Sequence, residues 1–408
     1  MHFEVKKKLE KYEQEHLLQY YDELSKDQQE ELLKQISCID FSVIDLIKDR
    51  DEEIKKGKIE PITDAVTIEE IEKKKEQYYG VGIKAIKNYK IGAVLLAGGQ
   101  GTRLGFDAPK GMYNIGIHKE VFIFERLVKN LMEVVRAAKT WVPLLIMTSD
   151  KNDAETRAFF KEKDYFGYNK DFIFFFVQDM APSVDFDGKV YMEDKAKISM
   201  SPNGNGGWFS SLVRSGLLEK VKNIGVEWLN VFAVDNVLQK IADPYFVGAT
   251  IESGCPAGSK VVRKSAPDEK VGVLCKEDGH PSIVEYYELT DEMRDAKNES
   301  GEPAYNYGVI LNYLFKVTEL EDILDKKLPL HIVEKKIPYM DGNGNFITPG
   351  AVNGFKFEML VLDMIRMLDN CLAYEVVRNK EFAPVKNRTG VDSVDTARQL
   401  LIENQIEL

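Results

Sequence analysis

Hydrophobic and polar positions change their period about 89 residues into the chain. Before that point the pattern is helical. Val5, Leu9, Tyr12, Leu17, Tyr20 and Leu24 lie roughly along one face, with charges between them. Ser25-x-x-Gln28 and Thr67-x-x-Glu70 have the form of capping boxes that start later helices. The apolar spacing is too short and irregular for a partner-binding coiled coil, so residues 1–88 read as a helical segment packed on a larger body. From residue 89, short apolar runs alternate with helical periods. Ile91–Ala97, Leu144–Met147, Phe172–Val177 and Trp228–Val234 read as buried strands, and Phe122–Val135, Glu155–Lys163 and Trp208–Val221 as helices. This alternation predicts an α/β fold with a mainly parallel sheet covered by helices on both faces. Ligands of such sheets sit at the carboxyl ends of the strands.

Further along, the pattern turns antiparallel. Val271–Cys275 and Ser282–Tyr287 flank Glu277-Asp-Gly-His280, which has the composition of a hairpin loop. Lys356–Leu368 reads as a helix, Ala373–Arg378 as a strand and Asp395–Glu403 as a last helix. The expected division is a helical segment at 1–88, an α/β domain at 89–370 and a short α+β segment at 371–408. Asp341-Gly-Asn-Gly-Asn345 imitates a calcium loop, but Phe346 and Val352 stand where Gly and Glu are needed, so it reads as a surface turn.

Composition narrows the class of function. With 44% hydrophobic and 30% charged residues among 408, the chain is an ordinary globular one with ample length for a large core. A net charge of −12 argues against a nucleic-acid surface while leaving room for a local cationic pocket. No apolar run has membrane-spanning length, and the N-terminus is polar, so no membrane partner is expected. Cys38, Cys255, Cys275 and Cys371 lie far apart without a CxxC pair. They read as reduced, mostly buried thiols of a cytoplasmic protein.

The chemistry concentrates where the first buried strand ends. Ala93-Val-Leu-Leu-Ala-Gly-Gly-Gln-Gly-Thr-Arg-Leu-Gly105 places four glycines within eight residues, and Pro109-Lys110-Gly111 follows. Such a turn lets backbone N–H groups approach phosphate oxygens, and Arg103 and Lys110 stand beside it as cations. Leu104 occupies the place of the third glycine of a dinucleotide fingerprint, and no Gly-Lys-Ser/Thr makes a P-loop. Asp235, at the end of a strand within Val234-Asp-Asn-Val237, is a carboxylate that beside a triphosphate can hold Mg²⁺. Gln178 ends the aromatic strand, where an amide can read the imide edge of uracil.

LAGGQGTRLG with PKG resembles the signature of the eukaryotic-type UDP-N-acetylhexosamine pyrophosphorylases. Five further blocks recur in the family order. Gln178 matches the second of two family glutamines. Ser201-Pro-Asn-Gly-Asn-Gly-Gly207 is similar to Ala-Pro-Asp-Gly-Asn-Gly-Gly, with Asn203 in place of Asp. Val234-Asp-Asn matches directly, and Ala242-Asp-Pro244 follows it as in the family. Ile283-Val-Glu-Tyr-Tyr-Glu288 resembles Val-Val-Glu-Tyr-Ser-Glu, and Glu381-Phe-Ala-Pro-Val-Lys-Asn387 resembles Glu-Phe-Ser-Pro-Leu-Lys-Asn.

The resemblance implies a Rossmann-like, mainly parallel mixed sheet of the nucleotide-sugar pyrophosphorylase (GT-A-like) type. It also implies transfer of a uridylyl group from UTP to N-acetylglucosamine 1-phosphate, giving UDP-N-acetylglucosamine and pyrophosphate. Arg103, Lys110 and Lys386 are the implied catalytic cations. Leu96, Ala97, Gly98, Gly99, Gln100, Gly101, Thr102, Gln178, Gly204, Asn205, Asp235, Glu285 and Tyr286 are the implied substrate contacts, and Asp235 is the implied ligand of Mg²⁺ (or Mn²⁺). A monomer or homodimer is expected. Two departures touch the sugar: Val309 replaces a family Asn, and Leu360 and Leu362 replace two aromatics. They leave glucose 1-phosphate or galactose 1-phosphate as an alternative substrate. A non-catalytic nucleotide-sugar sensor is the alternative from another class, and retention of the three cations speaks against it.

Overall fold

The computed structural model describes residues 2–47, 57–324, 326 and 328–408. The chain forms two compact units, each assembled from separated stretches. The larger takes Lys56–Gln178, Trp208–Lys327 and Leu362–Leu408; the smaller takes Met1–Lys55, Asp179–Gly207 and Leu328–Val361. The units interleave along the chain, whereas the sequence pattern suggested three consecutive segments at 1–88, 89–370 and 371–408.

A ten-stranded mixed sheet runs through the larger unit. Trp228–Ala233, Ile91–Leu96, Leu144–Thr148 and Ile173–Val177 lie side by side, all parallel. Every residue of Ile91–Leu96 and Leu144–Thr148 is buried, as a strand covered on both faces requires. The helix Ile123–Ala138 buries Leu127, Val128, Leu131, Val134 and Val135 in the same core. On the other side of Trp228–Ala233 the sheet becomes antiparallel. Tyr307–Lys316 pairs there and also with Ala257–Arg263 and Val273–Glu277. His280–Val284 closes the expected hairpin around Asp278 and Gly279. Leu372–Glu375 runs parallel to Ala257–Arg263, which brings the last part of the chain into the sheet. Between Ser259 and Val261 the register slips, and Leu311 on the facing strand has φ +50°: a β-bulge with Lys260 at its centre.

In the smaller unit, helices His2–Lys11 and Lys26–Cys38 bury Val5, Leu9, Leu32, Leu33 and Ile36. These residues form one core with Val184, Met192, Ile198, Phe355 and Phe357 of three short antiparallel sheets. Both arms of the Ser25/Gln28 capping box form; at Thr67 one arm is made, the Glu70 N–H donating to the Thr67 hydroxyl. Asp341 accepts the N–H groups of Asn343 and Asn345, as a turn between Tyr339–Met340 and Phe346–Ile347.

Several elements differ from the pattern reading. Residues 48–56 of the helical segment lie outside the described residues. Within the rest of it, Glu15–Leu18 and Tyr21–Glu23 are tight 3₁₀ turns, and Ile59–Pro61 is a strand. Trp208–Val221 is two helices, Trp208–Arg214 and Leu217–Ile224, because Gly216 adopts φ +73° between them. Lys356–Leu368 is not one helix. Phe355 and Phe357 bury one face of a strand, Gly354–Glu358, and the helix is only Val361–Arg366. The strand that was to reach Tyr287 stops at Val284, and the carbonyl of Glu285 accepts the Glu288 N–H in a turn. Of the cysteines, Cys275 and Cys371 are buried, Cys255 is half-buried and Cys38 is exposed. Among the described residues no helix is long and apolar enough to cross a membrane.

Candidate phosphate-binding site

Two loops leave the carboxyl ends of neighbouring parallel strands in the larger unit. The first follows Ile91–Leu96. Ala97 continues the ladder by donating to the Met147 carbonyl, and the chain then turns through Gly98 and Gly99. The loop closes on itself: Gly101 N–H donates to the Ala108 carbonyl, Lys110 N–H to Gly99 and Phe106 N–H to Gly101. Thr102–Leu104 forms a single tight turn, with Arg103 exposed on it. Among the described residues, the N–H groups of Gly98 and Gly99 take no backbone acceptor. They are donors available to an anion. Asn152, fully buried, ties the loop down by donating to the carbonyls of Ala97 (3.0 Å) and Gly99 (3.4 Å).

The second loop follows Trp228–Ala233 and carries Asp235. Few of its bonds are its own; buried amides from distant parts of the chain hold it. Asn130, on the helix Ile123–Ala138, donates to the carbonyls of Val237 (3.1 Å) and Gln239 (3.0 Å). Gln239 donates to Ala233 and Asn236, and Asn312 donates to Gln239 and to the Lys240 carbonyl. Asn230 accepts the Ala242 N–H and donates to Asn312. Asn236, 1% exposed, donates to the Glu381 carbonyl (2.7 Å) and accepts the Ala383 N–H (2.9 Å). Val385 N–H donates to the Asp235 carbonyl, so the stretch from Glu381 to Lys386 is laid along this loop.

These two loops and the added stretch bring four charged groups together. Lys110 Nζ is 3.8 Å from Asp235 Oδ2. Burial pushes the Lys110 ammonium below its ordinary value; Asp235 counters this, and nearby Arg103 and Lys386 add to it. A lysine pressed by burial and two like charges is poised to receive an anion. Lys386 is held by Asp392, with Nζ 3.1 Å from Oδ2, and its N–H donates to the Asp392 carbonyl. Asp392 itself has φ +52°. Among the described residues no group of three or more His, Cys, Asp or Glu side chains forms a metal cage. A single carboxylate beside cations able to hold phosphate suits Mg²⁺, which takes one or two carboxylates and completes its shell with phosphate oxygens.

Leu96 and Ala97 are buried at the strand end, Gly98 and Gln100 are half-buried, Gly101 is buried, and Gly99 and Thr102 are exposed. The Gln178 amide lies over Gly98; a Cβ there would fall 2.6 Å from Nε2, so only glycine lets the two meet. The Oε1 of Gln100 is buried without a partner. Glu285 and Tyr286 sit in the turn after His280–Val284, in the antiparallel half of the sheet. The Glu285 Oε2 and the Val309 methyl both border Gly272, so the substituted family position and the retained glutamate share one spot.

Gly204 and Asn205 belong to the smaller unit. Gly204 has φ +85° and abuts the Met359 carbonyl, and Gly206 N–H donates to that carbonyl at 2.8 Å. Asn205 Oδ1 accepts the Val361 N–H at 3.0 Å, which leaves its amide N–H₂ for other use. Met359 and Leu360 shape this loop from an extended link, and not from the helix expected there.

Sequence reasoning missed the supports. Asn130, Asn152, Asn230, Gln239 and Asn312 carry no local signature. Asn236, Asp243 and Glu381 stood inside recognised motifs, and only their roles went unread.

The sequence pattern of the UTP–glucose-1-phosphate uridylyltransferase family matches residues 40–403. The chain is 36% identical to the UDP-N-acetylglucosamine pyrophosphorylase of Saccharomyces cerevisiae over 417 residues, covering 94% of this chain and 86% of that one. It is 38% identical to UDP-N-acetylhexosamine pyrophosphorylase-like protein 1 of Xenopus tropicalis, over 80% of this chain; the match spans 66% of that relative's length. The solved UDP-N-acetylglucosamine pyrophosphorylase of Trypanosoma brucei has the same fold, with a TM-score of 0.84 at 27% identity, covering 97% of this chain and 83% of that one.

Proposed function

The chain belongs to the UTP–glucose-1-phosphate uridylyltransferase family, and on that premise we propose that it transfers the uridylyl group of UTP to N-acetylglucosamine 1-phosphate. The observation that carries this reading is the meeting of Arg103, Lys110, Lys386 and Asp235 beside a glycine loop with free N–H groups. A phosphate oxygen of the sugar phosphate attacks the α-phosphorus of UTP in line. The bond from that phosphorus to the β-phosphate bridging oxygen breaks, and pyrophosphate leaves with both electrons. No side-chain nucleophile is needed, so the protein's part is to position the reactants and to neutralise charge.

Arg103 and Lys110 hold the triphosphate and the departing pyrophosphate. Lys386 bonds the two phosphates that react, exchanging its contact with Asp392 for them. Asp235 would hold Mg²⁺, and that ion would supply further neutralisation of phosphate charge. Gln178, whose amide lies over Gly98, reads the uracil edge. Gly204 and Asn205, in the smaller unit, are assigned to the nucleotide sugar by resemblance. The curated relatives' names favour the acetylated sugar. Val309 beside Glu285 favours a second arm, glucose 1-phosphate, since it removes an amide at the spot where the glutamate lies.

The test follows pyrophosphate release from UTP and Mg²⁺ with each sugar phosphate in turn. Preference for N-acetylglucosamine 1-phosphate is expected. Preference for glucose 1-phosphate would move the sugar assignment and leave the chemistry standing. Release with neither, by folded protein that binds UTP, would favour a nucleotide-sugar sensor.

A further inference from the structure

Lys260 is fully buried, in the middle of the strand Ala257–Arg263. Its ammonium donates to Asp243 Oδ2 at 3.0 Å, to Glu381 Oε2 at 2.5 Å and to the Lys240 carbonyl at 3.3 Å. An ammonium has three protons to give, and all three are placed. The acceptors come from different places. Lys240 and Asp243 end the Asp235 loop, and Asp243 also caps the helix Pro244–Ser253 by accepting the Tyr245 N–H. Glu381 opens the stretch that ends, five residues later, in Lys386. One buried cation therefore joins the two pieces of chain that carry Asp235 and Lys386.

Two further observations set this lysine apart from an ordinary core residue. The strand pairing is distorted at it: the register slips between Ser259 and Val261, and Leu311 is held at φ +50°. Bulges re-aim side chains, and here Asn312, next to Leu311, meets the same Lys240 carbonyl as Lys260. The charges are also an expensive way to fill space, because a well-packed apolar set often does so with no loss of stability. Burial alone would raise the Asp243 carboxyl, yet Lys260, Lys240 and the Tyr245 N–H hold it below the ordinary range.

We propose that Lys260 is a positioning residue for uridylyl transfer, setting the spacing between the Asp235 loop and the Lys386 stretch through Asp243, Glu381 and the Lys240 carbonyl. The proposal rests on the function given above. It assigns Lys260 no contact with substrate.

Lys260→Met alone leaves two buried carboxylates facing one partly exposed lysine, Lys240, and is the variant at risk of not folding. Lys260→Met/Glu381→Gln removes one charge of each sign and is the variant to use. It is expected to melt within a few degrees of the parent and to keep the KM for UTP within about threefold, while kcat falls about 30-fold. The rate at which acetic anhydride labels Lys386, read by mass spectrometry, should rise several-fold as that side chain loses its fixed place. A double variant that folds with parental kcat and parental Lys386 labelling overturns the inference. If it does not fold, Glu381→Gln alone carries the same test with a smaller fall. A parent that binds UTP and releases no pyrophosphate would count against the reaction and not against the positioning, which the labelling decides by itself.

Discussion

The glycine loop and the Asp235 loop leave adjacent strands and serve one site, yet they are held in opposite ways. The glycine loop closes through its own backbone, with bonds between residues no more than eleven apart and one outside amide, Asn152. The Asp235 loop is held by Asn130, Asn230, Asn312 and Lys260, from four separate elements, and in turn holds Glu381 through Asn236. A loop that must admit phosphate to its backbone has to keep N–H groups free, so it is built locally from residues without side chains. A loop that must hold a carboxylate near a lysine from another part of the chain is built from long-range bonds. Local construction makes an anion nest; distributed construction makes a joint.

The largest effect should come from the cations of the glycine loop and of the stretch laid along the Asp235 loop. Lys110→Ala and Lys386→Ala are each expected to lower kcat by about 10³-fold, as loss of a phosphate-neutralising cation does elsewhere. Steady-state pyrophosphate release measures it, and activity within a few-fold of the parent for both would remove these residues from the reaction. The next effect separates the two modes of construction. Asn236→Ala strands the Glu381 carbonyl and the Ala383 N–H, each at a cost of about 1–3 kcal/mol, and is expected to lower kcat roughly 10- to 100-fold. Asn152→Ala strands the Ala97 carbonyl and the Ser149 N–H at a similar cost in stability, but should lower kcat much less, because the glycine loop keeps its own bonds. Measured kcat of both variants, with chemical denaturation to show that both are folded, tests this ordering, and equal losses of kcat would erase the distinction.

A smaller effect is expected at Gly98. Gly98→Ala drives a methyl into the Gln178 amide, which is the end of a flexible side chain, so the fold survives while Gln178 shifts. The preference for UTP over other nucleoside triphosphates should fall several-fold with little change in melting temperature. Unchanged preference would show that Gln178 does not read the base.

The smallest effect is one of stability. Burial, with Arg103 and Lys386 nearby, holds Lys110 below the ordinary lysine value of 10.5 despite Asp235. A lysine whose value is depressed by folding destabilises the fold at every pH below that depressed value, and the cost fades as pH rises towards 10.5. Lys110→Met is therefore expected to raise Tm by about 1–2 °C at pH 7 without ligand. The gap should narrow as pH rises towards the ordinary lysine value of 10.5. A gap that widens with pH would reverse the sign of this argument.

The same contrast accounts for what the sequence made legible. Ile91–Ala97, the glycines after it, Arg103 and Lys110 announce themselves because their physics is local: an apolar run, missing Cβ atoms, cations at short spacing. The parallel strands and the 273–284 hairpin could be read for the same reason. Lys356–Glu358, the second half of the strand Gly354–Glu358, reads as the start of a helix because Phe355 and Phe357 alternate over too few residues to outweigh the helical run behind them. The amides around Asp235 were invisible because an asparagine that will be buried and satisfied looks, in a sequence, like one bound for the surface. Their partners lie up to 147 residues away, as between Asn236 and Ala383.

The divided origin of the smaller unit has a consequence for biosynthesis. Its first two helices leave the ribosome well before the strands His331–Lys335 and Gly354–Glu358, which complete their core and are translated about 300 residues later. At about 5–20 residues per second, that is a wait of roughly 15–60 s. Throughout it, Leu32, Leu33 and Ile36 face water or a chaperone without their final cover. The larger unit cannot finish first either, since its Leu372–Glu375 strand comes later still. The nascent chain thus carries two unfinished cores until Gly354–Glu358 is made, and trapping by a translational stall should be most damaging shortly before that point.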